Sequence, residues 1–273
     1  MSSDNKHPYH LVDPSPWPLV TSMACLLMAW GAIMAMNEEG SLLFFIGAGA
    51  VTLASILWWR DVVNESEKGG FHNQVVQIGL RYGMLLFIAS EVMFFAAWFW
   101  AFFDVALYPG ADSPELTGRM DAINGIFPPE DIKLIEPFGI PLLNTLILLA
   151  SGGTVTWAHH ALRNNDRKNF LIFLFLTIML GLIFTGFQAY EYMVADFKID
   201  EGIYPSTFYM ATGFHGAHVI IGSIFLLVCF IRGLSGHFKP EKHLGFEFAA
   251  WYWHFVDVVW LFLFAFVYWW VSV

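Results

Sequence analysis

Apolar residues in this chain neither alternate nor recur on one helical face. They run together in seven stretches: Trp17–Met36, Ser41–Trp59, Val75–Leu107, Phe138–Ala161, Phe170–Tyr192, Tyr204–Ile231 and Phe246–Val271. Each approaches or exceeds the ~20 residues a helix needs to cross a hydrocarbon core. The third, sixth and seventh are longer, which predicts tilt or protrusion. The pattern therefore predicts an all-α integral membrane protein with seven transmembrane helices. The short link Asn37–Gly40 makes the first two a hairpin. The polar stretch 60–74, with Asn64-Glu65-Ser66-Glu67-Lys68-Gly69-Gly70, is the clearest boundary. The expected organisation is a tail at 1–16, a two-helix hairpin at 17–59, a linker at 60–74 and a five-helix bundle at 75–273, with a cleft between the two helical parts.

Composition sharpens this. The chain is 57% hydrophobic and 13% charged, about half the charged fraction of a soluble domain. Its cations are unevenly placed. With a cytoplasmic N-terminus, Lys6, Arg60, Lys68, Arg81, Arg163, Arg167, Lys168, Arg232, Lys239 and Lys242 fall on the cytoplasmic side. Only Arg119, Lys133 and Lys198 fall opposite, so ten of the 13 basic residues obey the positive-inside rule. The acidic residues lie mainly in the outer segments, and a net charge of −10 is no nucleic-acid signal. The first span is too long for a signal-peptide core and no small-x-small site closes it. Cys25 and Cys229 lie in different spans, which excludes a disulfide framework and a thiolate metal site. A long loop, Tyr108–Pro137, holds five prolines.

Ionisable residues inside a bilayer are costly and usually functional. Glu91 sits near mid-span in Leu85-Leu86-Phe87-Ile88-Ala89-Ser90-Glu91-Val92-Met93. A lone carboxyl there keeps its proton unless it finds a partner. Two readings follow: a proton-exchanging group, or a hydrogen-bonded tie between helices. His215 and His218 share one face of the sixth span at i,i+3, as His254 and Asp257 do on the seventh. Facing inward, the four would form one interhelical polar cluster. Imidazoles from two helices at mid-depth also suit a b-type haem, so haem ligation and helix packing both stand. His159-His160 are interfacial. Ahead of the first span, His7 and His10 are candidates for collecting protons at the membrane surface, against the alternative of a plain polar tail. Trp59, Arg60, Glu65, Ser66, His72, Arg81, Arg232 and His237 form a basic, aromatic-backed rim suited to a phospholipid headgroup, with tails along Phe87. The positive-inside bias alone also accounts for such a rim.

Several segments, taken in order, resemble a known family. They are Trp58-Trp59-Arg60-Asp61-Val62-Val63, Gly79–Val92, Thr156-Trp157-Ala158-His159-His160, Gln188-Ala189-Tyr190-Glu191-Tyr192, Gly213-Phe214-His215-Gly216-Ala217-His218-Val219 and Trp251–Trp260. Together with the N-terminal His-Pro-Tyr-His segment they are similar to subunit III of the aa3-type cytochrome c oxidases. The resemblance implies seven helices in a V, two against five, with phospholipid bound in the V. It implies a non-catalytic role beside subunit I: stabilising it, supplying its D proton-uptake pathway and prolonging turnover. It implies no cofactor in this chain, with haem a, haem a3 and two copper centres in subunits I and II. It matches Glu91 to the family's intramembrane carboxyl and His7 and His10 to its N-terminal histidines. Trp59, Glu65, Ser66, His72, Phe87, Arg232 and His237 match lipid-contacting positions. Asn64 and Ser235 depart from the basic residues of mitochondrial relatives. The length suits a bacterial member, multi-pass in the inner membrane, with a cytoplasmic N-terminus and a periplasmic C-terminus. A free-standing haem-binding cytochrome and a Glu91-based proton transporter are the alternative functions.

Overall fold

The computed structural model describes residues 9–10, 13–69, 71–110 and 125–273. These are helical throughout, apart from connecting loops and one isolated bridge between Lys239 and Lys242. Seven helices follow in chain order: α1 (Trp17–Met36), α2 (Leu42–Asn64), α3 (Gln74–Leu107), α4 (Ile140–Arg163), α5 (Arg167–Val194), α6 (Ile203–Leu234) and α7 (Leu244–Leu263). A π-helical turn, Glu65–Gly69, prolongs α2, and another, Phe264–Trp270, prolongs α7. All seven are long and apolar enough to cross a membrane. The all-α, seven-helix expectation holds.

Helix boundaries follow local chemistry. Pro18 and Pro141 occupy the first turns of α1 and α4, where no intrahelical N–H is needed. Asp166 caps α5, accepting from the Asn169 backbone N–H at 3.1 Å and the Asn169 amide at 2.6 Å. Gly202, at φ 127°, sets the turn into α6.

The chain divides into two compact units, Met1–Tyr82 and Gly83–Val273. In the first, the buried residues of α1 and α2 are Ala24, Gly31, Gly47 and Ala54. Each helix thus presents two small residues seven apart, on one face. A side chain at Gly31 would collide with the Phe44 backbone, and one at Gly47 with Met28. Lipid is as apolar as any helix face, so association in a membrane relies on such close backbone approach.

The second unit is built around α7. Trp253 and Trp260 are wholly buried. The Trp253 ring lies against Gly181 of α5 and Gly222 of α6, where added Cβ atoms would stand 2.6 Å and 2.9 Å from it. Its Nε1–H donates to Ser151 Oγ of α4 at 2.9 Å, and Trp260 Nε1–H donates to Thr145 Oγ1 at 2.9 Å. Thr154 and Thr177 hydroxyls join α4 to α5 at 2.8 Å, and Tyr192 donates to Thr212 between α5 and α6 at 2.8 Å. These bonds fix helix rotation where hydrophobicity cannot.

Candidate functional site

Glu91 and His218 meet in the second unit. α3 presents Glu91 toward α6, and Glu91 Oε2 lies 2.9 Å from His218 Nε2. The other ring nitrogen, Nδ1, is 2.6 Å from the Phe214 carbonyl one turn back. That carbonyl only accepts, so Nδ1 carries hydrogen. One proton then remains between Oε2 and Nε2. The pair is either a carboxylic acid donating to a neutral imidazole or a carboxylate accepting from an imidazolium, and both are neutral overall. Phe94, Phe95, Tyr252 and Phe255 ring His218, with centroids 4.9–6.3 Å away. The side chains are 22% exposed for Glu91 and 11% for His218.

The other members of the expected cluster lie elsewhere. His215 is fully buried, with Nε2 3.1 Å from the Val256 carbonyl and its ring against Phe184 and Trp260. His254 is exposed. Its Nδ1 is 3.4 Å from Asp257 Oδ2 and its Nε2 is 3.1 Å from Thr156 of α4. The four residues therefore occupy three places. His215 and His218 sit three residues apart and face different partners, the Val256 carbonyl and Glu91. His159 Nε2 lies 3.2 Å from His243 Nε2, and His160 pairs with Asn164.

A further buried carboxyl, in addition to Asp257, escaped the sequence reading. Glu191 of α5 is 1% exposed. It accepts from Tyr268 Oη at 2.6 Å and from Gln188 Nε2 at 3.0 Å. Its sequence signal was Gln188 and Glu191 at i,i+3 inside an apolar run.

The rim residues divide between the units. In the first, Trp59 is exposed on α2. Arg60 pairs with Asp61 at 3.1 Å, and Asp61 also accepts from Trp17 Nε1 at 2.6 Å, tying α2 to α1. Glu65 and Ser66 lie on the π-helical turn, and His72 just ahead of α3. The His10 ring stacks on Phe71 at 4.5 Å and 5°, and its centroid is 6.2 Å from that of His72. Burial pushes the His72 imidazole below its ordinary range; His10 adds to this and Glu65 opposes it. An open cavity of about 1070 Å³ has His10, Asp13, Asp61, Glu65 and His72 among its walls. His7 lies outside the described residues.

In the second unit, Phe87 is half-exposed and stacks on Tyr252 at 6.3 Å. Arg232, in the last turn of α6, holds its guanidinium 4.6 Å over Phe238. His237 lies just beyond the helix end, its backbone N–H donating to the Arg232 carbonyl at 3.1 Å. Higher on α3, an apolar groove of about 680 Å³ runs from Val92 to Tyr108 against Phe255, Phe262 and Phe266 of α7 and its extension.

A family model described as cytochrome c oxidase subunit III matches residues 7–272. The chain is 54% identical over 272 residues to cytochrome c oxidase subunit 3 of Marchantia polymorpha, covering 99% of each chain. It is 52% identical over 272 residues to that of Arabidopsis thaliana, again 99% of each. It is 54% identical over 266 residues to that of the seal Phoca vitulina, covering 97% of this chain and 98% of the relative.

Proposed function

The chain belongs to the cytochrome c oxidase subunit III family, and on that premise we propose that it stabilises subunit I, seats phospholipid and supports proton uptake into the D pathway. As a member of that family it is a non-catalytic, multi-pass membrane part of the oxidase complex. Haem a, haem a3 and the two copper centres belong, in this reading, to subunits I and II. The cation distribution supports a cytoplasmic N-terminus.

The observation that carries the structural role is how the intramembrane ionisable groups are engaged. Glu91 is bound to His218, His215 to a backbone carbonyl, and His254 to Asp257 and Thr156. Each contact joins two helices, or braces one that does. Such groups knit a bundle that lipid alone would not hold together. The groove along α3 and α7 is long and apolar, as an acyl chain requires. Arg232 and His237 supply headgroup donors in the second unit, Trp59, Arg60, Ser66 and His72 supply them in the first, and the Glu65 carboxyl oxygens accept from an amine headgroup. Phe87 offers an exposed ring to a tail. His10, with His7 before it, supplies titratable groups for proton collection.

Removal of the chain tests the reading. Oxidase purified without it should start turnover at a comparable rate, take up protons through the D pathway more slowly, and inactivate after fewer turnovers. Adding the chain back should restore its lifetime. Unchanged uptake and lifetime would refute both supporting roles.

A further inference from the structure

We propose that His10, Glu65 and His72 form a binding site for a divalent transition-metal ion of the zinc type. One nitrogen from each imidazole and one carboxylate oxygen all lie within 4.8 Å of one another. Zinc bonds of ~2.0–2.2 Å in tetrahedral geometry place neighbouring ligand atoms roughly 3.4 Å apart. Closing the widest gap, from 4.8 Å to roughly 3.4 Å, takes about 1.4 Å of movement, within reach of a rotamer change in a part-exposed glutamate.

The ligands come from three separate segments: the chain ahead of α1, the π-helical turn after α2, and the residue before α3. Two are already held. The His10 ring lies flat on Phe71. The His72 carbonyl accepts from Gln77 Nε2 at 3.0 Å, which anchors its loop to the first turn of α3. Glu65 opens a π-helical turn, a winding often found at functional sites. The site borders the open cavity, and Asp13 on its wall adds negative charge that draws a cation in.

Two nitrogens and one oxygen select the ion. Calcium and magnesium take oxygen ligands, whereas imidazole suits zinc, copper and nickel. A two-histidine, one-carboxylate set leaves the fourth position to water. The ion would clip the N-terminal segment to the linker between α2 and α3 and, while bound, would withdraw His10 from proton collection and Glu65 and His72 from the headgroup contacts proposed above.

The test uses the full chain, stripped of metal by chelation, in phosphatidylcholine nanodiscs. Cobalt(II) serves as the spectroscopic probe, and zinc affinity is read by competition with a chromophoric chelator. The expected result is one high-affinity equivalent with a ligand-field band of low coordination number. His10→Gln, Glu65→Gln and His72→Gln should each weaken it by about tenfold or more. His243→Gln, at the other close histidine pair, should leave it unchanged. His10 precedes the first span, so His10→Gln tests the site without disturbing a helix. Equal affinity in the parent chain and in His10→Gln would overturn the proposal, as would loss of the site in His243→Gln.

Discussion

Separating Glu91 from His218 tests whether the intramembrane polar groups bind helices together. The contact spans α3 and α6 at 2.9 Å, and both side chains are largely shielded. Interhelical hydrogen bonds within membranes average about 0.6 kcal/mol and reach about 1.7. Two features place this one in the upper half. The His218 ring is already oriented by the Phe214 carbonyl at 2.6 Å, and the shared proton makes the bond charge-assisted in one of its two forms. A coupling energy of about 1 kcal/mol follows, roughly a fivefold change in the unfolding equilibrium. Glu91→Leu alone should cost more, about 1–3 kcal/mol, because His218 Nε2 is left without its partner. Glu91→Gln should recover most of that, since its amide N–H can donate to Nε2. The assay is reversible unfolding in mixed micelles for both single leucine variants and the double variant. A coupling energy below about 0.3 kcal/mol, the scatter expected of independent sites, would refute the reasoning.

Three further outcomes follow from the packing and the caps. Gly31→Leu should separate α1 from α2 by forcing a side chain into the Phe44 backbone, seen as lost cross-linking between cysteines placed on the two helices; unchanged cross-linking would contradict the close approach. Ser151→Ala removes the acceptor for Trp253 Nε1 and should cost about 0.6 kcal/mol or somewhat more, with a shift in tryptophan fluorescence; an unmoved spectrum would mean the bond is not made. Asp166 carries a pH dependence. Hydrogen bonds from Asn169 hold its carboxyl below the ordinary value of 3.8, so it contributes stability above that value and loses it as the pH falls through the lower native value. Asp166→Asn should keep the cap and flatten the acid limb of the stability curve, and an unaltered limb would contradict the assignment.

The spans were legible because hydrocarbon thickness fixes their length, and α1 ran over the predicted residues, Trp17 to Met36. Glu91, His215, His218, His254 and Asp257 were legible as residues because polar groups stand out in apolar runs. Their pairing was not. In water an amphipathic pattern shows which face of a helix packs, but in a membrane the lipid face is equally apolar, so helix rotation leaves little trace. Glu91 and His218 are 127 residues apart, and only the rotations of α3 and α6 bring them together. The same uncertainty hid Glu191, whose partner Tyr268 lies in the π-helical continuation of α7. That widened winding shifts backbone hydrogen bonds without changing composition. The approach of His10 to His72 escaped notice for a different reason: it depends on loop conformation, which carries no periodicity.

Haem content of the purified full chain bears most directly on the claim that its buried imidazoles serve helix packing. Folded in nanodiscs with haem supplied, the chain should give no stoichiometric Soret band, and His215→Leu and His218→Leu should alter stability and not the spectrum. One low-spin haem per chain, lost in either variant, would contradict the account.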